Sequence, residues 1–142
     1  MRLEAGARQL LVKGRIAHLA TATSSGRPQV VPICYAYDGV SIYSSIDEKP
    51  KRVTPNRLRR VLNIRMNSQV SLVVDHYREN WHELRYVIIQ GSAEILRSGA
   101  EHRKGVLLLR NKYHQYRSMN LEGRPVIKIT PIHAFMWRSG KV

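Results

Sequence analysis

Acidic residues are scarce in this chain: 10 Asp and Glu stand against 24 Lys and Arg in 142 residues, a formal net charge of +14. An excess of that size points to an anionic partner, whether nucleic acid, an anionic membrane surface or a polyanionic small molecule. Cysteine is nearly absent. Cys34 stands alone, which excludes an intrachain disulfide. The opening MRLEAGARQLL is too charged, and its apolar run too short, for a secretory leader, so a cytoplasmic protein is expected. Long hydrophobic runs are missing as well: the best candidates are strand-like pieces such as residues 70–74, far from the roughly 18 residues that span a bilayer, and no membrane partner is expected.

Several catalytic signatures are also missing. The sequence has no Gly-x-Ser-x-Gly elbow, no His-Glu-x-x-His, no P-loop and no Gly-x-Gly-x-x-Gly, which argues against a hydrolase, an NTPase or a Rossmann dinucleotide site. The six histidines (His18, His76, His82, His102, His114, His133) are dispersed without ligand spacing, so no metal is expected. Cys34 falls in an apolar strand-like run, where a free cysteine behaves as a small apolar residue. No catalytic residue can be named from these patterns.

What the chain does contain is a series of short elements. Leu3, Ala7, Leu10 and Leu11 have helical spacing, with Gly14 at the cap position. Residues 15–23 and 29–37 read as two strands joined by Ser24-Ser25-Gly26-Arg27-Pro28, and Asp38-Gly39 turns into a third strand at 40–45, giving a three-stranded meander. Pro32 cannot donate to a ladder, which implies an edge strand or a non-strand neighbour along that backbone. After a loop, Thr54 caps a helix with Pro55 at its first position and an apolar stripe of Leu58, Val61, Leu62 and Ile64, ending near Asn67. Strands follow at 70–75 and 85–96, the latter with Gly91 at a bulge, and the loop between them holds Trp81. Ser98-Gly99-Ala100-Glu101 has the form of a capping box for a helix running to about Tyr113, and residues 125–137 form the last strand. The sum is one mainly β domain, 1–142, with six or seven mostly antiparallel strands closing into a barrel and about three short helices.

Residues 49–65 hold seven cations (Lys49, Lys51, Arg52, Arg57, Arg59, Arg60, Arg65) and no carboxylate, across a helix start. The positive end of a helix disfavours cations by about 0.3–1 kcal/mol each unless an anion is present, so this segment reads either as a phosphate clamp or as a solvated basic face. Ser44 and Ser45 end the preceding strand, where their hydroxyls would donate to the same phosphate. Single-stranded nucleic acid calls for aromatics interleaved with the cations; the segment has none, so that partner is not expected and stands only as a second alternative. Tyr77, Trp81, Tyr86 and Trp137 lie nearest the loop and strand ends, placed either to stack on a planar ring or to pack.

The run His18-Leu19-Ala20-Thr21-Ala22-Thr23, then Gly26-Arg27-Pro28-Gln29-Val30-Val31-Pro32, then Tyr37-Asp38-Gly39, resembles the opening of the pyridoxamine-phosphate-oxidase-like split barrels. Asp47-Glu48-Lys49-Pro50-Lys51, Leu62-Asn63-Ile64, residues 70–77 and Trp81 are similar to one bacterial branch of that family, the probable deazaflavin (coenzyme F420) dependent enzymes. The resemblance implies a split-barrel homodimer with a cofactor in each groove between subunits. It implies backbone around Val31, Pro32 and Ile33 along the ring, Tyr43, Ser44 and Ser45 near the ribityl-phosphate part, and Lys49, Lys51, Arg57, Arg60 and Asn63 at the phosphate, with Trp81 also at the site. Members often carry lysine where this sequence has Arg60, a different fork geometry. The activity implied is hydride transfer from a reduced deazaflavin to a small-molecule acceptor, with FMN as the alternative cofactor. The chain ends at Val142, short of the extra C-terminal substrate-binding segment of true pyridoxamine-phosphate oxidases, so oxidation of vitamin B6 is not expected.

Overall fold

Two apolar alternations and two punctuating glycines set the architecture of the first hairpin and the turn that follows. Gly26 and Gly39 both adopt positive φ (93° and 97°), the backbone that the turn between Thr23 and Arg27 and the Asp38 turn require. The Asp38 carboxylate accepts from the N–H groups of Val40 and Ser41, at 2.8 and 2.7 Å, and pairs with Lys104. The computed structural model describes residues 1–47 and 58–140. In chain order these form α1 (Ala5–Lys13), β1 (Ala17–Ala22), β2 (Pro28–Ile33), β3 (Ala36–Tyr37), β4 (Ile42–Ser45), α2 (Arg59–Met66), β5 (Gln69–His76), β6 (Arg85–Leu96), α3 (Ala100–Lys112) and β7 (Val126–Arg138).

The strands make one seven-stranded antiparallel sheet in the order β2-β1-β5-β6-β7-β4-β3. Its two edges, β2 and β3, are consecutive in the chain, with only Cys34 and Tyr35 between them. Three Cα steps reach at most about 11 Å, so the edges cannot lie far apart, and the sheet must curl into a barrel split between β2 and β3. Tyr113 ties this break from outside: its hydroxyl accepts from the Tyr35 N–H at 3.0 Å and lies 2.8 Å from the Arg15 carbonyl. Leu11, Leu19, Ile42, Leu72, Ile89, Ile127 and Ile129 fill the interior, and one part of it is closed by Leu3 just before α1 and by Ala7 and Leu10 of α1. A second core, built on Tyr43, Val106, Leu109, Tyr116 and Leu121, lies under α3. Gly105 permits that approach, since a Cβ there would sit 2.8 Å from the Tyr43 ring.

Four expectations change. The three-stranded meander does not form: the run 29–37 breaks at Cys34–Tyr35, β2 pairs with β1 alone, and β4 pairs with β3 and with β7 from Ile42↔Ile129 to Ser45↔Val126. Pro28 and Pro32 therefore lie on an edge strand, where their missing N–H groups cost little. The helix does not run unbroken from Pro55, because Leu58 is extended (φ −61°, ψ 142°) and α2 starts at Arg59; Thr54 and Pro55 lie outside the described residues. Its buried face takes Asn63 with Val61 and Ile64, while Leu62 is only half-buried. Finally, the capping box is not made: Gly99, at φ +96°, is the cap of α3 and no side chain bonds there. The bulge at Gly91 does form, β6 shifting its β7 partner from His133 to Pro131 between Gln90 and Gly91. Among the described residues no helix is long and apolar enough to cross a membrane.

Candidate functional site at the open edge of the sheet

Strand parity places polar side chains where the barrel wants apolar ones. On β1 the core-facing series is Ala17, Leu19, Thr21; on β2 it is Gln29, Val31, Ile33. Asn63 of α2 meets this corner. It is 2% exposed, and its Nδ2 donates to the Thr21 Oγ1 at 3.0 Å while its Oδ1 is buried without a partner. The Gln29 Oε1, the Ser45 Oγ at the end of β4 and the Arg60 Nε on α2 are buried and unpartnered as well. Each such atom costs about 1–3 kcal/mol, and native structures hold few; Gln29 and Asn63 meet across Thr21, and Arg60 lies about one turn before Asn63 on α2, so these three mark a place for something to bind, whereas Ser45 shares its strand face with Tyr43. Only one other such side-chain atom occurs among the described residues, the Lys112 Nζ.

A groove of about 430 Å³ opens between the β1–β2 turn and α2, lined by Thr23, Arg27, Gln29, Arg59 and Asn63 among others. It offers two guanidinium groups beside the two amides with unpartnered carbonyls. Arg60 faces Asp47, and burial holds its guanidinium below the ordinary arginine value despite that carboxylate. Asp47 is itself anchored: the Tyr116 hydroxyl donates to its Oδ2 at 2.7 Å, and the Arg124 Nη1 donates to its backbone carbonyl at 3.1 Å. Burial and that carboxylate hold the Tyr116 phenol far above its usual range, so it stays a donor at any ordinary pH. The chain thus enters the cationic segment from a fixed point.

Of the residues singled out by sequence, Val31, Pro32 and Ile33 lie on β2, with Pro32 on the outer face, Arg60 and Asn63 lie one turn apart on α2, and Ser45 leads into Asp47 beside Arg60. The Ser44 hydroxyl is committed elsewhere, donating to the Cys34 carbonyl at 2.7 Å across the β2–β3 break. The Tyr43 ring is buried in the second core, its hydroxyl 3.4 Å from the Glu101 carboxylate, which leaves only its backbone facing away from α3. Trp81 lies in a 3-10 turn (Trp81–Glu83) after β5, whereas α2 precedes β5; the eight residues of that strand separate the two by about 25 Å. One chain therefore does not bring Trp81 to Asn63. Lys49, Lys51 and Arg57 lie outside the described residues. Sequence reasoning missed Gln29, Thr21 and the Asp47–Tyr116 anchor; a polar residue at a core-facing parity was the available signal for the first two.

The outer face of the sheet differs in character. Register places Pro32, His18, Val73, Ile88 and Phe135 in one row across five strands, and Val30, Ala20, Ser71, Gln90 and His133 in the next. Neither row holds a Lys, Arg, Asp or Glu, in a chain of net charge +14. At one end Tyr86 stacks on Trp137 at 5.5 Å, and Phe135 and Trp137 remain 57% and 40% exposed.

Over residues 3–138 the chain matches the family model described as pyridoxamine 5'-phosphate oxidase. No curated protein matches it. Solved structures of the same fold include the heme storage protein HutZ of Vibrio cholerae, at a TM-score of 0.71 and 16% identity, with 99% of this chain and 96% of that one covered. An F420 reductase superposes with a TM-score of 0.67 and 22% identity over 94% of this chain and 98% of the other. A FAD-binding protein from Mesorhizobium loti gives 0.69 and 22% over 94% of each. Identities this low carry the fold alone.

Proposed function

The chain belongs to the pyridoxamine 5'-phosphate oxidase family, and on that premise we propose that it is a homodimeric oxidoreductase that holds a deazaflavin, coenzyme F420, at the β2 edge and reduces a small-molecule acceptor. The observation that carries this reading is the group of unpartnered buried polar atoms on Gln29 and Asn63, which share one groove, and on Arg60 one turn earlier on α2. The donor set fits such a cofactor. The Arg60 guanidinium, with Lys49, Lys51 and Arg57 of the cationic segment, meets a phosphate; the Asn63 Oδ1 and Gln29 Oε1 accept from ring or ribityl N–H and O–H donors. A reduced deazaflavin, when bound, supplies hydride. The residues of this chain orient it along the backbone of Val31–Ile33, and the Asp47–Tyr116 contact fixes where the cationic segment begins. The likeness to an F420 reductase supports the deazaflavin, and the likeness to a FAD-binding protein supports the second reading, an FMN-dependent enzyme using the same groove.

The homodimer is supported by the uncharged outer rows of the sheet and by the distance of Trp81 from its own Asn63, which a second copy would shorten by supplying its Trp81. Light scattering at micromolar concentration should give twice the 16.4 kDa of one chain; a monomer removes the shared site. Parallel fluorescence titrations with the oxidised deazaflavin and with FMN, at low and high ionic strength, test the cofactor. The deazaflavin should bind more tightly and weaken with salt, because its oligoglutamate tail meets exposed cations. Equal or tighter FMN binding transfers the assignment to FMN.

A further inference from the structure

A lysine ordinarily lays its stem along the protein and keeps its ammonium in water. Lys112, the last residue of α3, does the reverse: the residue is half-buried, and its Nζ is buried without a hydrogen-bond partner. The amine lies 3.8 Å from the centre of the Tyr35 ring and 5.4 Å from that of Tyr113. Arg15, just before β1, joins it: its guanidinium carbon sits 4.6 Å from the Tyr113 ring centre, and its Nη2 donates to the Lys112 carbonyl at 3.0 Å. Neither cation is paired with a carboxylate among the described residues. Cys34 is the other ionisable group near the amine. The phenols supply no counter-charge, because burial pushes Tyr113 up to about 12 and Tyr35 beyond the ordinary range, and both stay neutral. Tyr35 is fully buried, its hydroxyl donating to the Leu11 carbonyl at 2.5 Å, and none of these residues belongs to the two uncharged rows assigned to the dimer. Two cations with no anion between them call for one. A solvated carboxylate or phosphate would have to shed its water to reach so enclosed an amine; a small uncharged molecule that becomes an anion only on attachment does not. Burial, aided by Arg15, holds the amine down at about 8, so about half of it is neutral and nucleophilic at pH 8, whereas an ordinary lysine at 10.5 is almost wholly protonated.

We propose that Lys112 is a site of modification by carbon dioxide, its neutral amine forming a carbamate that pairs with Arg15. The nitrogen lone pair makes the new N–C bond, one C=O π pair moves onto oxygen, and an N–H proton leaves to solvent. The amine R–NH2 and CO2 thus give R–NH–COO− and H+, and nothing is oxidised or reduced. The group beside the β2–β3 break becomes an anion, and Arg15 gains the carboxylate it lacks. The modification does not depend on the cofactor.

The test uses the full chain at pH 8 in carbon-13 bicarbonate, with sodium chloride of equal ionic strength as the control. The carbamate is trapped with triethyloxonium, and peptide mapping by mass spectrometry locates the labelled ethoxycarbonyl group. α-Amines are less basic than lysine amines and form carbamates too, so Met1 sets the trapping conditions as the internal positive control. Lys112 should be trapped at a level comparable to Met1 and at least tenfold above any other lysine. Arg15→Gln should lower the Lys112 yield at least fivefold and leave that of Met1 unchanged. Bicarbonate should raise the wild-type Tm above its value in chloride, and the difference should vanish in Lys112→Met. The wild-type peptide map needs no variant, so it decides the matter even if Arg15→Gln fails to fold. The proposal is overturned if Met1 is trapped and Lys112 is not, if other lysines are trapped as readily, if Arg15→Gln keeps the full Lys112 yield, or if chloride raises Tm as much or Lys112→Met keeps the rise, either of which makes the effect ordinary anion binding.

Discussion

Asn63 separates a residue kept for a ligand from one kept for the fold, and the double substitution Thr21→Val with Asn63→Leu makes the distinction measurable. The two side chains share one buried hydrogen bond, Nδ2 to Oγ1 at 3.0 Å, while the Asn63 Oδ1 has no partner. Losing that bond costs about 1 kcal/mol, and removing the unpartnered oxygen returns about 2 kcal/mol, near the middle of the range for such groups. Replacing both partners with apolar groups of similar shape also leaves no orphaned hydroxyl behind. The expected outcome is a protein about 1 kcal/mol more stable, a rise of about 3–4 °C in Tm for a chain of this length. Cofactor affinity should move the other way, falling about tenfold as the ligand donor that Asn63 accepts is left unpaired. Thermal denaturation and fluorescence titration on the same preparations provide both numbers. A drop of several degrees in Tm with wild-type affinity would refute the reasoning and make Asn63 a structural residue.

Lys112→Met tests the remaining unpartnered buried atom: the Nζ lies 3.8 Å from the Tyr35 ring centre, and burial, aided by Arg15, pushes its ammonium down to about 8. Between that value and the ordinary 10.5 the unfolded chain holds a proton that the folded chain has released, so wild-type stability rises with pH through this window. Met should stabilise by about 1 kcal/mol at pH 7, the side chain being exposed enough to screen the rest, and the advantage should shrink toward pH 10 in urea titrations; a less stable variant at pH 7 would mean that the ring contact outweighs burial. Lys51→Ala and Arg60→Ala should each weaken cofactor binding tenfold or more, but Lys51→Ala should leave Tm unchanged while Arg60→Ala lowers stability by about 1–2 kcal/mol, because Asp47 loses the cation it faces. Gly105→Ala should destabilise by about 1–3 kcal/mol despite the better helix propensity of alanine, since the new methyl meets the Tyr43 ring at 2.8 Å; a more stable variant in denaturant titrations would contradict that packing.

The parts of the fold legible in the sequence are those fixed by local pattern. The 85–96 strand is β6 to the residue, Gly91 marks its bulge, and Asp38-Gly39 makes its turn, because alternation and positive φ are written in neighbouring residues. Pairing is not local, which is why the meander misled: nothing in residues 40–45 says that β4 prefers β7, more than eighty residues away, to β2. The helix start was obscured by Pro55, a residue that signals a first turn but cannot say whether Leu58 will interrupt it. At the site, Arg60 and Asn63 stood out through charge and family likeness. Gln29 did not, because a glutamine in a short strand becomes informative only once its parity is known to be that of Val31 and Ile33. Ser44 and Ser45 looked equivalent; one faces the Cys34 carbonyl and the other has no partner, a difference set by the alternation of a strand whose neighbours were unknown.

The pairing of β4 with β7 also has a consequence for how the chain acquires its structure. β1 with β2, and β5 with β6, join strands that are close in the chain and can zip early, within contacts of low sequence separation. Ile42 must wait for Ile129, and that contact closes a loop of 129 − 42 = 87 residues, whose entropy has to be overcome before the ladder returns anything. On a ribosome adding about 5–20 residues per second, β4 stays without its β7 partner for several seconds after it is made. During that interval Ile42, buried in the finished barrel, has only the two-residue β3 beside it, so the slow phase of refolding should be assigned to this closure and should respond to substitutions at Ile42 and Ile129 more than to any at the cofactor corner.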